Sequence, residues 1–139
     1  MTYNYAHGIL RVTCTNTVQR GIERKAQIMS AYLVGCMDKR LAKGHHNAIR
    51  GLGLTNDCYM HLRAAGAASI GVIAAIRREA KLVNAHTIIL TIHTDCQGCK
   101  DVARRLRNLK ANAALARRLF PKKQVITLNI GIDGSYYRI

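Results

Sequence analysis

The chain has no tryptophan, one phenylalanine and one proline in 139 residues, and aromatic residues make up 5% of it. So few aromatic rings leave little material for stacking the bases of single-stranded nucleic acid. The lone proline and a hydrophobic fraction of 49% argue for a folded chain and against a disordered one. Acidic residues are scarce as well: 7 Asp and Glu stand against 22 Lys and Arg, a formal charge of +15. No uncharged apolar run approaches the roughly 18 residues that would span a bilayer, and no basic segment followed by an apolar stretch opens the chain. The expectation is a cytoplasmic protein with no membrane partner. Five cysteines, an odd number, do not suit the disulfide framework of a small secreted scaffold; they read as metal ligands, buried small groups or redox thiols.

What is present alternates between extended and helical segments. The length suits one domain, 1–139, with an amino-terminal arm and helix over 1–29 and a core over 30–139. Ile9 to Cys14 is a short apolar strand or arm. Val18, Ile22, Ala26 and Met29 then recur at helical spacing behind the capping candidates Thr15, Asn16 and Thr17. Ser30 to Gly35 reads as a buried strand, Ala42 to Asp57 as a short helix with a loop, and Cys58 to Arg63 as another strand. The segment from about Ala68 to Val83 predicts a helix apolar on nearly all sides until Arg77, which suggests a subunit interface. Thr87 to Ile92 is β-branched and apolar, as a central parallel strand should be. From Lys100 to Phe120 the pattern is helical, with Val102, Leu106, Leu109, Ala113 and Phe120 near one stripe and Arg104, Arg105, Lys110 and Arg118 largely off it. Pro121 ends that helix, and Gln124 to Ile130 supplies the last strand. The order predicts an α/β fold, a small three-layer sandwich with a mostly parallel sheet flanked by helices.

Two short stretches carry the chemistry. Cys36-Met37-Asp38-Lys39-Arg40 and, far along the chain, His93-Thr94-Asp95-Cys96 each follow an apolar strand. Two thiolates and an imidazole, Cys36, Cys96 and His93, make three zinc ligands, and a tetrahedral ion on three ligands keeps a fourth position for water. Asp38 is placed to accept a hydrogen bond at that position, and Arg40 to hold the carboxylate by its planar fork. The competing reading is a closed structural site with Cys99 as fourth ligand, because Cys96-Gln97-Gly98-Cys99 is a C-x-x-C. Cys14 and Cys58 read as buried small residues, and His45, His46 and His61 as loop or packing residues. Asp95 is either a turn residue or one that orients a neighbour by hydrogen bonding.

This pairing of C-x-D-x-R with H-x-x-C resembles the signature of the β-class carbonic anhydrases. Tyr32 to Cys36 is similar to the family's first core strand, and Thr87 to His93 to the strand that delivers the second motif. His61-Leu62-Arg63-Ala64-Ala65-Gly66 sits where the family carries R-N-A-G, with Ala64 in the asparagine's place. Val125 to Ile132 with Asp133-Gly134 looks like the last core strand and its turn. The likeness covers roughly residues 30 to 139 and is nearest to small, archaeal-type members. It implies zinc on Cys36, His93 and Cys96, an Asp38–Arg40 dyad, and hydroxide on zinc attacking carbon dioxide to give bicarbonate. It also implies a dimer or higher homo-oligomer. Family members that hydrolyse carbon disulfide or carbonyl sulfide carry the same ligands, so those substrates remain open.

The charge raises an alternative from another class. Between Lys100 and Lys123 basic residues crowd the chain and Asp101 is the lone acid, with smaller clusters at Arg20, Arg24 and Lys25 and at Arg77, Arg78 and Lys81. Such a surface attracts polyanions by releasing their counterions. A zinc-stabilised, non-catalytic nucleic-acid-binding protein would share the same ligands, and a solvated basic face with no partner would share the same charge.

Overall fold

The computed structural model describes residues 2–6, 9–13, 31–54, 58–82 and 84–139. Cys14 and the helix expected from Val18 to Met29 lie outside them. The elements run β1 (Thr2–Ala6), β2 (Ile9–Thr13), β3 (Ala31–Cys36), α1 (Ala42–Gly51), β4 (Cys58–Arg63), α2 (Val72–Leu82), β5 (Thr87–Ile92), α3 (Val102–Leu119), β6 (Gln124–Ile130) and β7 (Tyr136–Arg138). The seven strands form one sheet in the order β1-β2-β4-β3-β5-β6-β7. β4, β3, β5 and β6 are parallel, and β1, β2 and β7 are antiparallel additions at the two sides. β1 and β7 were not anticipated; both are short edge strands whose segments lack the apolar run that marks the central ones.

β3 and β5 are buried along their whole length, which is why both read as unbroken apolar runs. Alternate residues face opposite layers. Tyr32, Val34, Ile88 and Leu90 pack under α2 and α3, whereas Ala31, Leu33 and Ile89 join Leu41, Ala48 and Ile49 on the α1 side. The result is the expected three-layer sandwich. Asp101 caps α3 by accepting from the Arg104 amide at 2.9 Å, and Asn108 and Asn112 donate to the carbonyls of Ala68 and Ala67, tying α3 to the loop after β4.

Two expectations are corrected. The helix expected from Ala68 starts only at Val72, because one 3-10 turn at Gly66–Ala68 is followed by extended Ser69 and by Gly71 at φ +75°. Its apolar face, Val72, Ala75, Ile76 and Ala80, is spent on this chain's own core, while Ala74, Arg77 and Arg78 are exposed. It is therefore amphipathic and does not require a partner to bury it. The second correction concerns Arg105, which lies on the buried stripe of α3 with Leu109, Ala113 and Ala116. A third contact closes α2 onto the sheet: Glu79 Oε2 accepts from Tyr32 Oη and meets His61 Nδ1, both at 2.7 Å. Burial and then Glu79 push the Tyr32 phenol far above its ordinary range, so it stays a donor.

Candidate metal centre

β3 leads outward to β4 on one side, and the chain then crosses back to place β5 on the other side of β3. The crevice at the carboxyl ends of β3 and β5 is thus a topological switch point, the usual place for a site in such sheets. The parallel register sets Ala31 opposite Thr87 and Val34 opposite Leu90. Carried two residues on, it brings Cys36 level with Ile92, one residue before His93. Gly66, at φ +52°, lets the loop after β4 cross close by; a Cβ there would meet the Thr91 carbonyl at 2.6 Å and the Cys36 amide at 3.0 Å.

Cys36, His93 and Cys96 are all buried, and their donor atoms lie within 4.8 Å of one another. The two sulfurs are 3.8 Å apart. Two bonds of about 2.3 Å to one tetrahedral zinc would set sulfurs about 3.8 Å apart, so the donor set fits that ion. His93 Nε2 is buried with no hydrogen-bond partner, as a nitrogen reserved for a metal would be. Burial and then the neighbouring Cys96 raise the Cys36 thiol, and a divalent cation is what would let two adjacent thiols ionise together. Cys99 is not in this cluster; its thiol turns to the Asp101 carbonyl at 3.8 Å.

The polar surround links both motifs. Arg40 holds Asp38 in a fork, Nη2 donating to Oδ2 at 2.6 Å and Nε lying 3.1 Å from both oxygens, while the Arg40 amide donates to Oδ1. These bonds keep Asp38 at about 2, well below the usual carboxylate range. The other side of the guanidinium reaches Asp95 Oδ2 at 2.8 Å, and Asp95 Oδ1 accepts from His93 Nδ1 at 3.0 Å. Asp38, Arg40, Asp95 and His93 form one continuous chain. Its value is orientation, since exposed ion pairs add little stability on their own. Asp95 thus takes the orienting role, and its bond from His93 lowers its own carboxyl below the ordinary value.

Arg105 was missed by sequence reasoning. It is 1% exposed, and its guanidinium donates to the carbonyls of His93 at 2.6 Å and Thr94 at 2.5 Å. Among the described residues no carboxylate is within ion-pair distance of it. The spacing to Leu109, Ala113 and Ala116 was a usable signal, overridden because an arginine is seldom placed on an apolar stripe. Arg105→Met should cost on the order of 3 kcal/mol in urea unfolding by stranding two buried carbonyls, and should hasten zinc loss to a chelator. Unchanged unfolding and zinc retention would contradict this assignment.

His45 is buried against the backbone of Gly35, where a Cβ would stand 2.7 Å from its Nε2; His46 beside it is exposed. Its Nε2 is 3.4 Å from Thr91 Oγ1, which donates to the Val34 carbonyl. Burial, then the proximity of His93, push His45 down to about 4 from an ordinary 6.5. Between those values the unfolded chain binds a proton that the folded one refuses, so stability is complete above the upper value and falls as pH drops toward the lower. The loss should reach about 3 kcal/mol. Chemical denaturation across that window should show the slope, and His45→Leu should flatten it.

No family model matches the chain, and no curated protein sequence does. Solved structures are similar. A carbonic anhydrase from Streptococcus mutans aligns at TM-score 0.58 with 18% identity, covering 81% of this chain and 82% of that one. The β-carbonic anhydrase CafA of Aspergillus fumigatus aligns at 0.52 with 15% identity, over 81% and 76%. A carbon disulfide hydrolase in its apo form aligns at 0.52 with 15% identity, over 77% and 76%. The fold is that of the β-carbonic anhydrases. In that fold the segments around C-x-D-x-R and H-x-x-C occupy neighbouring parallel strands, as they do here.

Proposed function

We propose that this chain is a zinc-dependent, carbonic anhydrase-like hydro-lyase that interconverts carbon dioxide and bicarbonate. Cys36, His93 and Cys96 would hold the ion, with Asp38 and Arg40 as its working neighbours. One observation carries the reading: three buried donor atoms within 4.8 Å, one an unpartnered imidazole nitrogen, joined through Asp95 and Arg40 to a forked carboxylate. When bound, zinc supplies Lewis acidity that makes water a nucleophile near neutral pH.

The protein's own part is orientation. Asp38, ionised and therefore acceptor-only, takes a hydrogen bond from the reacting water and turns a lone pair toward the incoming carbon. Arg40 keeps the carboxylate from swinging onto the metal, and Asp95 fixes His93 with Nε2 free to bind. Exposed Met37, Ile70 and Val102, each beyond the carboxyl end of a parallel strand, support an assembly of at least two copies around this rim. Among the described residues no helix is long and apolar enough to cross a membrane.

Stopped-flow hydration of carbon dioxide by the zinc-loaded protein tests the proposal, with carbon disulfide and carbonyl sulfide in parallel assays for released sulfide. The likeness to a carbon disulfide hydrolase makes those two substrates the second reading. Hydration above the uncatalysed rate, lost on chelation, is the expected result. Stoichiometric zinc with no turnover of any of the three would reject the enzyme and favour a zinc-stabilised binding protein.

A further inference from the structure

α2 and α3 lie side by side on one face of the sheet and turn their polar sides outward. On α3 the exposed cations Arg104, Arg107, Lys110, Arg117 and Arg118 recur every three to four residues along most of the helix, so they share one outer stripe. At 1.5 Å per residue that stripe is about 21 Å long. Arg77 and Arg78 extend it onto α2, Arg78 touching Glu79 at 3.8 Å.

The described acids leave this face uncompensated. Asp38 and Asp95 are bound to Arg40 at the strand ends, Glu79 is held by Tyr32 and His61, Asp133 bonds Ser135, and Asp101 caps the first turn of α3. Among the described residues no ion pair involves a cation of α3. Small exposed side chains, Ala103, Ala111 and Ala114, separate the cations, so a bulky backbone can approach closely.

We infer that the outer face of α2 and α3 binds duplex nucleic acid through its phosphates. The charge calls for a polyanion of high linear density, and a duplex carries one charge per roughly 1.7 Å. Single strands are disfavoured because the stripe presents no aromatic platform: Phe120, at its end, is buried. A membrane surface is disfavoured because the apolar side of α3 is committed to the sheet, leaving exposed Val102 and Leu119 only at the helix ends. Backbone contact without base reading predicts little sequence preference.

Fluorescence anisotropy with labelled DNA and RNA duplexes, their single strands, and sedimentation with anionic phospholipid vesicles make the test, each over a range of salt. The zinc-loaded chain should bind at least one duplex type, with log affinity falling linearly against log salt. Arg104→Gln/Arg107→Gln/Lys110→Gln should lower that slope by about 2 to 3 and weaken binding more than about tenfold at low salt. Zinc content and melting temperature should not change, and Arg117→Gln/Arg118→Gln should repeat the effect more weakly. Absent duplex binding, tighter binding of the single strands, binding to vesicles alone, or substituted chains that bind like the parent would each overturn the inference.

Discussion

Cys96→Ser protein should retain almost no zinc after dialysis against a chelator, and its hydration of carbon dioxide should fall to the solvent background. The thiolates of Cys36 and Cys96, 3.8 Å apart, and the unpartnered Nε2 of His93 are the full donor set the described residues offer. With three ligands no spare donor compensates a loss, and a serine hydroxyl, un-ionised at neutral pH, removes both a bond and a charge. Metal analysis beside stopped-flow kinetics reads both effects. Cys99→Ser is the informative partner: with its thiol directed at the Asp101 carbonyl, it should keep zinc and activity. Zinc retained by Cys96→Ser and lost by Cys99→Ser would reverse the ligand assignment.

Asp38→Ala should separate binding from chemistry. Zinc content should match the parent, while kcat/KM for hydration should fall by about 10²- to 10³-fold, the range expected when one positioned acceptor is lost. The carboxylate is held ionised at about 2 by Arg40, so its protonation should not shape the rate profile at any pH above about 4. Arg40 keeps its second contact, to Asp95 Oδ2 at 2.8 Å, so the histidine should stay oriented in the variant. Unimpaired hydration by Asp38→Ala would remove the carboxylate from the mechanism.

Much of the architecture was readable because the central strands announce themselves. β4, β5 and β6 fall on Cys58–Arg63, Thr87–Ile92 and Gln124–Ile130, the spans their apolar runs predicted, and Asp101 and Pro121 bracket α3 as helix chemistry requires. β1 and β7 escaped because edge strands need only one neighbour and carry little apolar signature. The start of α2 escaped because the run from Ala68 to Ile76 is continuously apolar; Gly66 and Gly71, at positive φ, break it in ways a periodicity count does not register. Arg105 escaped because its partners are main-chain carbonyls, which have no side-chain pattern to search for.

Consecutive residues were enough to specify the donor chemistry, the strands that carry it and the excess of positive charge, because side-chain type and local periodicity are properties of neighbours in the chain. The meeting of Cys36 with His93 and Cys96, the bridge from Arg40 through Asp95, the inward turn of Arg105 and the outward turn of Cys99 were decided in three dimensions. Those outcomes depend on the register of β3 against β5 and on which layer each helix covers. Both are set by how the whole sheet packs, and no local stretch of sequence encodes them.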